Sequence, residues 1–182
     1  MIKLIIYGLS GSGKSTIAKL VRSYFEERER IVQVVKIAQP LYEIQHYFYE
    51  KLQVPHVEGT QDQILLENVA SNIRRIAPTY LVDTFMNRVR ESEASVIIND
   101  DLRDYQTDYP RLLEAGFIFV KVTCEEEIRQ KRLLSRNDLS IVENSETTKH
   151  IQDFNYHFHI DNSKLSMDKL RNCIHEMLEA FK

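Results

Sequence analysis

Cysteine is scarce in this sequence, and its two cysteines, Cys124 and Cys173, lie far apart without a paired spacing. Neither a disulfide framework nor a zinc-binding pattern is therefore expected, and both residues are interpreted as free thiols. Long apolar runs are lacking too. No stretch approaches the roughly 18 apolar residues of a membrane-spanning helix, and the short run at the N-terminus ends at Gly8. The sequence thus predicts neither a membrane span nor a signal peptide, and we expect a cytoplasmic protein with no membrane partner.

An excess of positive charge is lacking as well. The 24 lysines and arginines are outnumbered by 27 aspartates and glutamates, which gives a net charge of −3. Proteins that bind polynucleotides independently of sequence use a basic surface, so no polynucleotide partner is expected. Hydrophobic residues make up 43% of the chain, enough to bury a core in a chain of this length. We therefore expect a single domain over 1–182.

Glycine is the third scarce residue, yet its positions are concentrated. Three of the five glycines, Gly8, Gly11 and Gly13, lie within six positions in the stretch IIYGLSGSGKST over 5–16. Glycine has a conformational cost in a folded chain, and it is used where the backbone is left-handed or approaches a ligand closely. This clustering predicts that a ligand approaches the backbone here.

Short apolar segments alternate with longer amphipathic segments along the chain. The segments typical of strands are 1–8, 30–38, 94–100, 116–122 and 156–161. Helical spacing is found over 14–28, 40–52, 61–76, 79–92, 106–114, 125–135 and 166–181. The alternation predicts an α/β fold with a five-stranded, mainly parallel sheet and helices on both faces. The helices of 39–92 form an insertion between the second and third strands.

The glycine-rich stretch lies between the first predicted strand and the first predicted helix. Its pattern, Gly-x-x-x-x-Gly-Lys-Ser from Gly8 to Ser15, is the Walker A motif of the phosphate-binding loop (P-loop). The glycines let backbone N–H groups turn toward phosphate oxygens, and the helix N-terminus adds its positive dipole end. We expect Lys14 to contact the β- and γ-phosphates and Ser15 to coordinate Mg²⁺. The predicted ATP-binding residues are Gly8, Ser10, Gly11, Ser12, Gly13, Lys14, Ser15 and Thr16.

The rest of the chain discriminates among the classes of P-loop protein. A GTPase of this length is expected to carry a DxxG motif after its third strand and an NKxD guanine motif, and the sequence contains neither. The chain length, the helical insertion after the second strand and the arginine-rich segment after the fourth look like a small-molecule kinase of the nucleoside monophosphate kinase class. A P-loop NTPase fold is therefore expected.

Further segments carry a closer resemblance. They are KIAQPLYEIQ after the second strand, DDLRDYQTDYPRLLEAGFIFVKV across the third and fourth, and NSETTKHIQDFNYHFHIDNS before the last helix. In this order they resemble the A-x-P-[LI], D-x-R, S-E-T-like and I-D-N-[DS] segments of the deoxynucleoside monophosphate kinases of phages and bacteria. The resemblance covers nearly the whole chain. It implies a kinase that uses ATP and Mg²⁺ on a deoxynucleoside monophosphate, although the lid-like segment 136–148 is shorter than the long mobile lid of related kinases.

Two aspartates, Asp100 and Asp101, lie at the end of the third predicted strand, and Arg103 follows them. A carboxylate at this edge can hold a magnesium-bound water or orient the acceptor. The D-x-R comparison favours Asp101 over Asp100 for this catalytic and metal-binding role. It also favours Arg103 as the group that neutralises the phosphate of the acceptor. The alternative is a polar strand end with a turn. Arg74 and Arg75, in the helical insertion, are left open as further ligands of that phosphate.

Three arginines, Arg129, Arg132 and Arg136, share one face of the helix predicted after the fourth strand. Related kinases place arginines before the lid, where they contact the transferring phosphoryl group, and fixed guanidinium groups stabilise the charge of that transition state. Arg132 and Arg136 are therefore predicted to be catalytic. Arg129 equally fits an exposed helix on which it pairs with Glu125 or Glu126.

Taken together, these features predict an ATP-dependent phosphotransferase whose acceptor is a small phosphorylated molecule, foremost a (deoxy)nucleoside monophosphate. Phosphoryl transfer relies on positioning and charge neutralisation, so the lack of a nucleophilic side chain is no objection. Two alternatives stay open. One is a kinase of another small metabolite, of the dephospho-coenzyme A or phosphomevalonate type, and the other is a non-catalytic nucleotide-binding regulatory protein. A small nucleotide substrate is the expected partner, and a homodimer is left open.

Overall fold

The computed structural model describes residues 1–55, 57, 59–135, 138–140, 150–151 and 153–180. Within these residues the strands are β1 (Ile2–Tyr7), β2 (Val32–Val34), β3 (Val96–Asn99), β4 (Ile118–Thr123) and β5 (Phe158–Asp161). The helices are α1 (Lys14–Glu26), α2 (Gln39–Lys51), α3 (Gln63–Ile76), α4 (Tyr80–Glu91), α5 (Asp108–Glu114), α6 (Glu126–Leu134) and α7 (Met167–Glu179). Each predicted strand and helix is confirmed. Within the described part of the chain, no helix has the length and apolar character needed to cross a bilayer.

The strands form one parallel sheet in the order β2-β3-β1-β4-β5. The register places Ile2 opposite Val96 on β3, and Leu4 opposite Ile118 on β4. Helices separate consecutive strands in the chain, as parallel pairing requires, because a crossover must return the chain to the starting edge. The predicted α/β architecture, with a parallel sheet between helices, is therefore confirmed.

Hydrophobic cores cover both faces of the sheet. Successive side chains of a strand point to opposite faces, so β1 sends Leu4 and Ile6 to one core and Ile5 and Tyr7 to the other. The Leu4 face packs against α1 and α7, and the Ile5 face packs against residues of α2, α3, α4 and α5. This double burial explains why the central strands read as continuous apolar runs.

Local signals in the sequence account for several helix starts. The Asp62 side chain accepts a hydrogen bond from Leu65 N at 3.1 Å at the start of α3, and Ser166 accepts one from Lys169 N at 3.3 Å at the start of α7. Such caps satisfy N–H groups that lack a partner inside the helix. Pro40 lies in the first turn of α2, where a missing N–H costs nothing.

The second strand is shorter than predicted, because it covers Val32–Val34 and the expected strand covered 30–38. Its continuation is still buried at Val35 and Ile37, which explains the apolar pattern. There, however, the backbone bonds to side chains at the end of β3 and just after it. Asn99 Nδ2 donates to Val35 O at 2.9 Å, and Asp101 accepts from Ile37 N at 2.9 Å. The chain thus leaves the sheet and turns into α2.

All strands of a parallel sheet end at the same edge, and ligands of open α/β sheets bind there. Residues that directly or closely follow the five strands are Gly8, Lys36, Asp100, Cys124 and Asn162. The fold therefore brings segments that are far apart in the sequence to one edge of the sheet, and the candidate site lies at this edge.

Candidate active site

The phosphate-binding loop is closely surrounded by the backbone and side chains of other segments. Gly8 has φ 152°, and a Cβ atom there would lie 2.2 Å from Val122 O on β4. Gly13 has φ 100°, and a Cβ there would lie 2.1 Å from Asn162 Nδ2. Side chains are excluded at both positions by space and by backbone conformation. The clustering of glycine in the sequence therefore reflects close packing behind the loop, in addition to the ligand approach predicted in front of it.

The outer side of the loop is held through its carbonyl groups. Ser10 O accepts a hydrogen bond from Arg129 Nη1 at 3.0 Å, and Ser12 O accepts one from Asn162 Nδ2 at 2.9 Å. With these carbonyls fixed outward, the amide groups that precede α1 are left for an anion at the helix N-terminus. Arg129 also pairs with Glu126, so it combines the predicted surface ion pair with support of the loop.

Arg132 contacts the same outer side. Its Nη1 lies 3.4 Å from Ser12 O and from Cys124 Sγ, and its Nη2 donates to Asn162 O at 3.2 Å. The expected contact with a transferring phosphoryl group differs from this placement, because α6 packs behind the loop and directs the guanidinium there. A catalytic role for Arg132 stays a prediction. Arg136 lies outside the described residues, as does most of the lid-like segment 136–148.

Lys14 and Ser15 lie at the inner side of the loop. Lys14 Nζ donates to Gly8 O at 2.9 Å and to Leu9 O at 3.0 Å. Ser15 Oγ donates to Asp100 Oδ2 at 2.9 Å, and the other Asp100 oxygen pairs with Lys36. A serine hydroxyl and a carboxylate are the hard oxygen ligands that Mg²⁺ uses beside nucleotide phosphates. Ser15 and Asp100 therefore fit a magnesium ion that phosphate oxygens and water would complete.

Asp101 has different partners from its neighbour. Its two oxygens accept hydrogen bonds from Ile37 N at 2.9 Å and Ala38 N at 3.0 Å, and Asn99 Nδ2 donates to one of them at 2.5 Å. Of the two aspartates, only Asp100 is hydrogen-bonded to Ser15. The geometry favours Asp100 for the metal position that the sequence comparison gave to Asp101, and it leaves Asp101 to fix the turn into α2.

A cavity of 580 Å³ extends from this point toward the helical insertion. Its loop end is defined by residues of the P-loop and the neighbouring strand ends, namely Gly8, Lys14, Ser15, Lys36 and Asp100. Its helical end is defined by charged residues of α3 and of the segment after β3, namely Glu67, Arg74, Arg103, Asp104 and Asp108. The structure thus brings Lys14, Ser15 and Arg103 to one cavity, whereas Arg75 is exposed outside it.

The helical end is a set of opposed charges. Arg103 Nη1 lies 3.8 Å from Glu67 Oε1, a distance that allows attraction but no hydrogen bond. Arg74 is held between two carboxylates, with its Nη2 2.6 Å from Asp108 Oδ2 and its Nε 3.3 Å from Asp104 Oδ2. Arg74 is therefore already engaged by carboxylates, and Arg103 is the more weakly held cation.

Burial raises the pKa of one carboxyl at the helical end, that of Asp108. Asp108 is only 1% exposed, and this burial raises the pKa of its carboxyl to about 6, against the lowering effect of Arg74. Asp104 adds a smaller upward contribution to that pKa. Among the described residues, three buried atoms at this end lack a hydrogen-bond partner: Glu67 Oε1, Arg74 Nε and Asp108 Oδ1. A fourth such atom, Ser12 Oγ, belongs to the P-loop.

Sequence reasoning missed several residues of this site. Lys36 and Asn162 follow the ends of strands, so the rule that ligands bind at the carboxyl edge of a parallel sheet was a usable signal for both. Glu67 and Asp108 lie on helices that only the tertiary structure brings to the cavity. No local pattern in the sequence distinguishes them from the exposed carboxylates of other helices.

Comparison with known proteins agrees with this architecture. A family model described as an AAA domain matches residues 4–149. No curated protein matches the sequence. Among solved structures, shikimate kinase from Acinetobacter baumannii in complex with shikimate has a TM-score of 0.54 at 12% identity, over 100% of this chain and 93% of that one. Shikimate kinase from Bacteroides thetaiotaomicron has a TM-score of 0.54 at 11% identity, over 99% and 98%. At these identities the likeness shows the fold, which is that of P-loop kinases.

Proposed function

The chain belongs to the AAA domain family, and from this membership and the geometry of the loop end we propose that it is an ATP-dependent kinase. Its acceptor is a small phosphorylated molecule, a (deoxy)nucleoside monophosphate. The observation that carries the proposal is the Ser15–Asp100 hydrogen bond beside Lys14, at one end of a cavity that reaches Arg103 at the other. A phosphate donor and a phosphate acceptor thus have separate charged groups within one cavity.

At the loop end, the phosphates of ATP bind to the amide groups that precede α1. Lys14 Nζ exchanges its contacts with Gly8 O and Leu9 O for the β- and γ-phosphates, because phosphate oxygens are stronger acceptors than neutral carbonyls. Ser15 and Asp100 would hold Mg²⁺, which would neutralise charge on the phosphates. The pairing of Lys36 with Asp100 fixes the orientation of that carboxylate.

At the helical end, Arg103 binds the phosphate of the acceptor. Of the two arginines that line the cavity, it is the more weakly held, because its partner Glu67 lies beyond hydrogen-bond distance. A phosphate oxygen of the acceptor is already ionised near neutral pH, so its attack on the γ-phosphorus of ATP needs no general base. Catalysis then rests on alignment and on stabilising charge over the equatorial oxygens of the transferring group.

One observation favours a second candidate. Three carboxylates (Glu67, Asp104 and Asp108) face two arginines at the helical end, and carboxylates are suited to bind hydroxyl groups. A kinase of a hydroxylated small metabolite fits this excess of acceptors. Phosphomevalonate and dephospho-coenzyme A, which carry both phosphate and hydroxyl groups, represent this candidate. A regulatory protein that binds nucleotide without turnover is the remaining alternative.

An acceptor screen tests the proposal. ADP release from ATP and Mg²⁺ is measured with each deoxynucleoside and ribonucleoside monophosphate, with phosphomevalonate and with dephospho-coenzyme A. Lys14→Ala is the inactive control that identifies contaminating kinases. We expect one or more nucleoside monophosphates to stimulate ADP release by the wild-type protein and not by Lys14→Ala. Stimulation by a metabolite only would support the second candidate, and tight ATP binding without stimulated turnover would support the regulatory protein.

A further inference from the structure

Two buried carboxylate oxygens at the helical end lack a hydrogen-bond donor in the part of the chain that the structure describes, and the transfer of a phosphoryl group does not require them. Asp108 is almost fully buried, one oxygen is bound by Arg74, and Oδ1 has no hydrogen-bond partner among the described residues. Glu67 Oε1 is in the same position, since Arg103 stays at 3.8 Å. Buried polar atoms are normally paired, and an unpaired one destabilises the folded protein. Because both residues line the cavity, a ligand with hydrogen-bond donors can supply the missing hydrogen bonds.

The lining of the cavity indicates the shape of that ligand. It includes apolar side chains of α2, α3, α4 and the segment after β3, namely Leu41, Leu66, Ala70, Leu81 and Leu102. Two aromatic residues, Tyr42 and Tyr105, also line it. Apolar and aromatic surfaces with a few polar groups suit a flat heterocycle that presents donors at its edge. A polyol would leave this apolar lining without a matching surface.

Resting on the proposed kinase activity, we propose that Glu67 and Asp108 determine base specificity by accepting hydrogen bonds from the exocyclic amino group of the acceptor's base. The site then prefers bases that carry an exocyclic amino group over bases with an oxo group at the same position. The acceptor is accordingly a cytosine, adenine or guanine nucleotide rather than a thymine or uracil nucleotide.

The preference follows from the donor and acceptor inventory of the groups. An ionised carboxylate only accepts hydrogen bonds, and so does an oxo group, so an oxo group facing Glu67 leaves both partners unpaired and adds electrostatic repulsion. An exocyclic amino group donates two hydrogen bonds. When Arg103 binds the phosphate of the acceptor, Glu67 loses its closest counter-charge, and a donor from the base then replaces it. Sites built to pair with a donor reject analogues that lack it strongly.

Two matched nucleotide pairs test the preference directly. The members of each pair differ at one position of the base. There dCMP and dAMP carry an amino group, whereas dUMP and dIMP carry an oxo group. We expect kcat/KM of the wild-type protein to be at least about tenfold higher for dCMP than for dUMP or for dAMP than for dIMP. Equal values within both pairs, or a preference for the oxo member, would overturn this inference and leave the kinase proposal intact. Turnover of no nucleoside monophosphate would refute both.

Glu67→Gln identifies the residue responsible. The new carboxamide has nearly the same shape, but its N–H groups can donate to an oxo group. We expect the amino-to-oxo ratio of kcat/KM to fall about tenfold, with ATP affinity unchanged. Glu50→Gln, an exposed carboxylate change on α2, is the matched control and should keep the wild-type ratio. Asp108→Asn is the second variant, and ATP binding verifies that each protein is folded. An unchanged ratio in both folded variants would overturn the assignment to these residues.

Discussion

The two ends of the cavity differ in how completely their polar groups are paired in the protein alone. At the loop end, Lys14 bonds to two carbonyls, and Ser15 and Lys36 both contact Asp100. At the helical end, three buried polar atoms have no hydrogen-bond partner in the described part of the chain, against one, Ser12 Oγ, at the P-loop. The loop end is thus organised before any ligand binds, whereas the helical end needs its ligand to complete it. This difference suits a constant phosphate donor at one end and a selected acceptor at the other.

The largest effect is expected at the organised end. Lys14→Ala removes the only P-loop ammonium group and should lower kcat by about a hundredfold or more, since the charge contact to the β- and γ-phosphates is lost. Lys19→Ala, an exposed lysine change on the same helix, is the matched control and should be nearly neutral. Steady-state kinetics with ATP and Mg²⁺ measure both, and near wild-type turnover by Lys14→Ala would contradict the phosphate-loop interpretation.

At the helical end, Asp108 should make the stability of the protein depend on pH. Its folded-state pKa of about 6 exceeds its usual value of 3.8, so between these values the folded protein binds more protons than the unfolded chain. The associated stabilisation is fully present below about pH 4 and is lost as pH rises through 6, by up to about 3 kcal/mol. Urea unfolding at pH 4 to 7 measures this loss.

The controls for this titration are two variants. Asp108→Asn cannot titrate, so its stability should fall less steeply than that of the wild type between pH 4 and 6. Asp168→Asn, at an exposed position of α7, should keep the wild-type slope. Glu126 acts in the opposite sense, because hydrogen bonds from Arg129 and Gln130 lower its pKa to about 2. A wild-type slope in Asp108→Asn would show that this carboxyl is not the group that titrates.

The same contrast explains what the sequence could predict. The alternation of apolar and amphipathic segments was sufficient for the strands and helices, and a motif of contiguous residues located the loop end. The helical end depends on side chains from α3 and α5, two elements whose approach only the tertiary structure defines. Even neighbouring residues were resolved only by the structure, because hydrogen bonds to Ile37 N and Ala38 N distinguish Asp101 from Asp100.

A comparison of Asp100→Asn with Asp101→Asn tests that assignment. We expect Asp100→Asn to lower kcat about thirtyfold and to raise the Mg²⁺ concentration needed for half-maximal turnover, because an amide is a poorer ligand than a carboxylate. Asp101→Asn should mainly lower the stability, by about 1–2 kcal/mol, since an amide has one oxygen for two backbone N–H groups. Magnesium titrations of turnover and urea unfolding distinguish the two effects, and the reverse pattern would restore Asp101 as the metal ligand.

The smallest effect is expected at the helical end, where Arg103→Ala affects the acceptor alone. Arg103 lies beside Glu67 of α3 whereas Lys14 contacts the P-loop backbone, so the KM for the acceptor should rise about tenfold while ATP affinity stays unchanged. Arg75→Ala, an exposed arginine change on α3, is the matched control and should leave both values unchanged. The loss should also be larger for phosphorylated than for unphosphorylated acceptors, because the guanidinium binds the phosphate. If Arg103→Ala weakens ATP and acceptor binding equally, the two ends are not independent sites and the difference between them has another cause.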